Sequence, residues 1–86
     1  METVISDFIS QELVREPALL PLTGETSLLE SGILDSLSLL QLVVFLEERF
    51  GITVGDTGLL PENFTSVNTI GGYLRTLESQ QRAAHG

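Results

Sequence analysis

The residues able to do chemistry in this chain are few, and they exclude more than they permit. None of the 86 residues is a cysteine, so disulfides, thiolate metal sites and a thiol nucleophile of the chain's own are ruled out. The single histidine, His85, stands at the C-terminal end. A serine hydrolase needs a histidine held within hydrogen-bond reach of its nucleophile, which disfavours a self-contained hydrolase. The carboxylates are dispersed along helical stretches, so Glu30, Asp35, Glu47 and Glu48 read as solvated charges and not as the ligands of a calcium-type loop. No glycine pattern of the phosphate-cradling kind is present. What remains is a hydroxyl, that of Ser36 in the triad Asp35-Ser36-Leu37.

The elements around that triad place it. Gly32 permits a tight turn, Asp35 is a good helix N-cap, and from Ser36 to Phe50 there is neither glycine nor proline, which predicts one helix of about four turns opened by Ser36. Taken alone, an Asp-Ser pair before an apolar run reads as a helix cap and nothing more. Leu37, Leu40, Val43, Leu46 and Phe50 keep helical spacing and form the expected core stripe. That assignment leaves Leu39, Leu42, Val44 and Phe45 beyond it, which a four-helix domain accounts for by burying this central helix on a wide arc, and of which Leu39, Leu42 and Phe45 also read as an apolar patch for partners, flanked by Glu47 and Glu48. Gly51 is expected to close the helix in a left-handed conformation, with Ile52 and Val54 returning to the core.

The rest of the chain reads as helical too. From Thr3 to about Arg15, Val4, Ile5, Phe8, Ile9 and Leu13 recur at three- and four-residue intervals, an amphipathic helix that Glu16-Pro17 ends. A long connection follows, on which Leu19, Leu20 and Leu22 are expected to tuck against the core, as are Leu28 and Leu29. Leu59 to Phe64 is proline-broken and predicts one irregular turn begun by Pro61. Thr65 or Ser66 caps a last helix carrying Val67, Ile70, Tyr73 or Leu74, and Leu77; Gly71-Gly72 inside it calls for a close approach by another helix. Residues 1–78 form one domain on this reading, and 79–86 a disordered tail.

Charge narrows the partners. The net charge is −8, with four arginines and no lysine, which argues against nucleic acid and for docking on basic protein surfaces, although solubility alone also accounts for it. The N-terminal stretch carries acidic residues and no long apolar run, so neither a signal peptide nor a membrane span is expected, and the expected location is cytoplasmic.

Leu28, Leu29, Gly32, Ile33, Asp35-Ser36-Leu37 and the helix end Leu46-Glu47-Glu48-Arg49-Phe50-Gly51 together resemble the acyl and peptidyl carrier protein family, over roughly Val4 to Leu77. The resemblance implies an all-α, four-helix acyl-carrier-like bundle with a long first loop and a short third helix. It implies further that Ser36 carries a 4′-phosphopantetheine arm derived from coenzyme A, and that Asp35, Leu37, Leu39, Leu42, Phe45, Glu47 and Glu48 are read by partners. Those partners would be a phosphopantetheinyl transferase, an acyl- or aminoacyl-loading enzyme (an adenylation enzyme or acyltransferase) and a downstream synthase or transferase, met by a monomer that is not itself an enzyme. A helix N-terminus suits such an arm, because its unpaired N–H groups and the positive end of its dipole accommodate a phosphodiester anion.

The sequence departs from the carriers of fatty-acid synthesis early in the helix, where Ser38 and Gln41 stand in place of acidic residues. The neutral start SLSLLQLVVF and the run GLLPENFTSV are more like discrete carriers of polyketide or nonribosomal peptide pathways. Three other readings stay open: an acyl carrier of fatty-acid synthesis, whose pattern Glu47 and Glu48 do match; an unmodified helical interaction module in which Ser36 only caps; and a carrier that buries its cargo near Leu46, Ile52, Leu59 and Phe64.

Overall fold

Three α-helices carry the chain: α1 (Glu2–Phe8), α2 (Ser36–Phe50) and α3 (Val67–His85). The computed structural model describes the backbone of residues 1–85 and the side chains of 1–56 and 58–81. No strand occurs among the described residues, and the all-α expectation holds.

The irregular turn expected from Pro61 forms, but as a 3₁₀ turn and not as a short third α-helix, so the count among the described residues is three α-helices. Between α2 and α3 the chain makes two 3₁₀ turns, Asp56–Gly58 and Pro61–Asn63. Pro61 starts its turn because its φ is preset and it lacks an N–H, while Leu60 before it stays extended. Phe64 then leaves helical geometry, at φ −127° and ψ 26°, and is fully buried. The Asn63 side-chain amide donates to the Gly58 carbonyl at 3.0 Å, tying the two turns together.

Helix α1 is amphipathic as its spacing predicts, burying Ile5. Its continuation, Ile9–Leu13, is wound as a π-helix, with the Val14 N–H donating to the Ile9 carbonyl at 2.9 Å. This wider winding still buries Ile9 and Leu13. Val14 is extended, and Glu16 ahead of Pro17 is extended too, so the helical run stops one turn ahead of the proline.

The long connection to α2 is held down at several points. The Gly24 carbonyl accepts the Asn68 N–H at 3.0 Å, and the Leu28 N–H donates to the Thr65 carbonyl at 2.9 Å. Both bonds fasten the loop to the start of α3. Leu28 is fully buried and Leu29, Leu19 and Leu22 pack partly on the core, whereas Leu20, expected inside, is exposed. Leu19 and Leu22, on either side of it, make this segment's contacts with the core instead.

Ser66 caps α3, accepting the Thr69 N–H at 3.2 Å. Val67, Ile70 and Leu74 are buried along one face, with Tyr73 and Leu77 at its edge. The close approach expected at the glycine pair is real at Gly71, where α1 crosses and a Cβ would lie 2.6 Å from the Glu2 Oε2. Glu2 pairs there with Arg75 at 2.6 Å. Gly72 faces open space. The backbone stays helical from Ser79 to His85, a stretch whose small polar residues read as a frayed tail. Near its middle Gln81 makes two bonds to Thr53, accepting its N–H at 3.1 Å and donating to its carbonyl at 2.8 Å. That pairing gives the helix a partner no local pattern announces. Gly86 lies outside the described residues.

Candidate functional site at the start of helix α2

Helix α2 begins and ends where its caps put it. Asp35 is extended and its carboxylate accepts the Ser38 N–H at 2.8 Å, satisfying one of the donors that a helix start leaves unpaired. Gly51 closes the helix at φ 66°, ψ 33°, a left-handed conformation that side chains other than glycine's disfavour. Gly32, at φ 80°, makes the turn that leads in.

Exposure changes residue by residue across the start. Ile33 and Leu34 are buried, and Leu34 is pinned by its N–H donating to the Leu28 carbonyl at 2.9 Å. Asp35, Ser36 and Leu37 are exposed, and Ser38 is buried again. The Ser36 hydroxyl therefore stands in solvent between two anchored segments, with no hydrogen bond to it among the described residues. Asp35 is held below the usual carboxylate range, chiefly by the Ser38 N–H, then by the Ser38 hydroxyl, with the Leu37 N–H and the charge of Arg15 adding to it. It is thus ionised at neutral pH and already engaged by the helix it caps.

The arc of α2 that meets solvent differs from the expected one. Leu37 and Leu40, expected in the core, are 62% and 54% exposed, and Val44 is 53% exposed. Leu42, expected in the partner patch, is fully buried, which removes it from any surface role. Leu39 and Phe45 are only partly exposed, and Phe45 stacks on Phe8 of α1 with ring centroids 4.1 Å apart. Glu47 is half-buried with its carboxylate accepting the Val54 N–H at 2.8 Å, so it holds the fold rather than standing ready for a partner; Glu48 is exposed. The core stripe is Leu39, Leu42, Val43, Leu46 and Phe50, which keeps helical spacing as well as the expected one. At about 100° per residue, Ser36, Gln41 and Glu48 bracket Leu37, Leu40 and Val44 on one face. Those three polar residues were the signal for the solvent arc, and for Leu40 and Val44 as members of it.

Ile52 and Phe64 and the helix residue Leu46, named above as one place for a buried cargo, are core residues packed with Ile70 and Leu74 in one cluster.

The arrangement defines a small helical domain that presents one serine hydroxyl on a fixed helix start. Residues 6–74 match the phosphopantetheine attachment site family, and the chain belongs to that family, whose members attach a phosphopantetheine prosthetic group and are not themselves catalysts. Among solved structures, a chain in the crystal structure of an FAD-dependent dehydrogenase is 34% identical with a TM-score of 0.75, over 83% of this chain and 99% of that one. A chain in the complex of the Bradyrhizobium japonicum glycine:[carrier protein] ligase with its cognate carrier protein and an analogue of glycyl adenylate is 24% identical, with a TM-score of 0.65, over 87% of this chain and 91% of that one. A chain in the structure of that ligase with glycylated carrier protein is similar at 24% identity and a TM-score of 0.62, over 84% of this chain and 90% of that one. These last two likenesses carry the fold. No curated protein sequence matches the chain.

The residues at the start of α2 fit a phosphopantetheine group. Ser36 offers an exposed hydroxyl, and the first turn of α2 offers backbone N–H groups and the positive end of the helix dipole to a phosphodiester.

Proposed function

We propose that this chain is a carrier whose Ser36 holds the 4′-phosphopantetheine arm, and that it carries aminoacyl or short acyl groups between enzymes of a secondary-metabolic pathway of polyketide or nonribosomal peptide type. The observation that carries this reading is the exposed Ser36 hydroxyl, rooted between buried Leu34 and buried Ser38. In the loading step a bond forms between Ser36 Oγ and phosphorus as the pyrophosphate bond of coenzyme A breaks; the hydroxyl proton passes to a base of the transferase and the adenosine bisphosphate leaves. The arm supplies the thiol this chain lacks, on which cargo is held as a thioester. The chain's own part is to fix the root of the arm and to offer the face of Leu37, Leu40 and Val44 for docking. It has no histidine near Ser36 among the described residues and works as a substrate of other enzymes, as a monomer in the cytoplasm.

The likeness to a carrier protein bound by a glycine-specific ligase supports an adenylating, aminoacyl-loading partner. The likeness to the chain in the FAD-dependent dehydrogenase structure supports a downstream partner of that flavin class, acting on the carried group. That matched chain is itself small, since 83% of this one spans 99% of it.

The test is the intact mass of wild type and Ser36→Ala after incubation with coenzyme A, magnesium and a broad-specificity phosphopantetheinyl transferase. Gain of one phosphopantetheine by wild type and none by the variant is expected. Absence of any gain on folded wild type, in a reaction that modifies another carrier, would leave Ser36 a cap and make the Leu37–Leu40–Val44 face that of an unmodified interaction module.

A further inference from the structure

The segment between α1 and α2 encloses a concavity of about 160 Å³ beside the start of α2, with Leu13, Leu19 and Ile33 as apolar walls and Arg15, Asp35 and Ser38 among its polar ones. Glu16 lines it too, with a carboxylate that accepts the Ala18 N–H at 3.2 Å. Ser36 lies between two of the lining residues in sequence. Arg15 is exposed, and among the described residues the only ion pair is that of Arg75 with Glu2. Arg49 belongs to the last turn of α2, at the other end of the helix. In a chain with four arginines and no lysine, Arg15 is the cation placed at the head of α2.

Resting on the reading of Ser36 as the attachment residue, we propose that Arg15 is a positioning residue for the arm: its guanidinium binds the phosphodiester oxygens and draws the root of the arm over this concavity, away from the Leu37–Leu40 face. Two features argue for it. A phosphodiester on Ser36 is an anion next to the Asp35 carboxylate, and Asp35 has already taken the Ser38 N–H that would otherwise offset the new charge. A guanidinium offers parallel N–H donors that match two phosphate oxygens, and Arg15 lines the same concavity as Asp35, next to Ser36. The consequence is directional. An arm held over the loop side leaves the apolar face of α2 clear for docking, so root and docking surface do not compete.

The experiment compares apo and phosphopantetheine-loaded forms of wild type, Arg15→Gln and Arg15→Lys, with intact mass and Ser36→Ala establishing where the arm is. Phosphorus NMR of the loaded forms and the melting temperatures of both forms are then measured. Removing the guanidinium is expected to shift the phosphodiester resonance and to lower the melting temperature of the loaded form by a few degrees more than that of the apo form. Lysine is expected to restore the stability difference in part, and salt near 0.5 M to erase it, because the Debye length there is only about 4–5 Å. A loaded Arg15→Gln protein whose resonance matches wild type, with equal losses in apo and loaded forms, overturns the role of Arg15 and leaves Ser36 as the attachment residue. An arm absent from wild type, or present on Ser36→Ala, overturns both.

Discussion

The carboxylate of Glu47, in the last turns of α2, accepts the backbone N–H of Val54 at 2.8 Å. This bond ties the helix to the segment that follows Gly51, at a point where Ile52 and Val54 enter the core. An N–H in that position has no ladder partner, so losing its acceptor leaves it partly buried and unpaired. Glu47→Ala is expected to lower stability by about 1–2 kcal/mol in urea unfolding. Glu47→Gln, whose amide oxygen can still accept, should retain most of it, and Glu48→Ala should cost nearly nothing. Equal effects at 47 and 48 would show the bond to be dispensable.

Leu42 and Leu40 are two positions apart and have opposite roles. Leu42 is fully buried, and replacing it with alanine removes core volume beneath α2, a change that typically costs about 2–5 kcal/mol. That is a large share of the stability of so small a domain. Leu40 is mostly exposed, so Leu40→Asp should leave the melting temperature within a few degrees of wild type. With Val44→Asp it should instead lower kcat/KM for modification by a phosphopantetheinyl transferase about tenfold or more, equivalent to about 1.4 kcal/mol of lost docking. A Leu40→Asp, Val44→Asp protein modified at the wild-type rate would move the docking surface elsewhere.

The contrast between these two leucines marks how far the sequence could be read. The limits of α2 were legible because its ends carry local chemistry: an aspartate able to cap, and a glycine able to adopt positive φ. The place of Ser36 as the first residue of the helix was legible for the same reason, since a cap fixes which residue comes first. The buried arc of α2 was not. Leucines and valines surround most of this helix, so two stripes satisfy the same spacing, and the choice rests on what packs against it, including Phe8 from a distant part of the chain. The short third helix of the expected bundle, which takes the form of 3₁₀ turns, has a similar origin. Pro61 announced a turn, but that the turn would end after Asn63 depends on Phe64 being drawn into the core. The π-helical winding of Ile9–Leu13 and the Gln81–Thr53 pairing leave no local mark.

Gly71 and Gly72 are adjacent in α3 and meet different surroundings. A methyl group at 72 enters open space, so Gly72→Ala should gain the full helical preference of alanine, about 1 kcal/mol, seen as a higher melting temperature. A methyl group at 71 meets the Glu2 side chain, with Oε2 at 2.6 Å and Cδ at 2.8 Å. That side chain is flexible and can swing away, at the expense of its pairing with Arg75. Gly71→Ala should therefore gain less than Gly72→Ala, and the two gains should converge in a Glu2→Ala background. A Gly71→Ala gain unchanged by Glu2→Ala would mean the contact does not limit that position.

Acid should reach the start of α2 through Asp35. Its carboxyl titrates below the usual range because the Ser38 N–H bonds its charged form, and Glu2 is lowered likewise, first by its hydrogen bond from Arg75. A carboxyl whose value is lower folded than unfolded adds stability above its unfolded value, near 4, and loses that contribution as pH falls through the folded one. Asp35→Asn keeps an oxygen able to cap but cannot ionise. The variant should be less stable than wild type at pH 7, with the gap closing as pH falls from about 5 toward 2. Glu2→Gln should show the same convergence but lose it in high salt, since that pair is exposed on the Arg75 side and screened. Urea unfolding across this pH range measures both gaps. A gap at Asp35→Asn that stays constant with pH would mean that the cap acts through geometry alone and that the charge of Asp35 adds nothing to the helix start on which Ser36 is rooted.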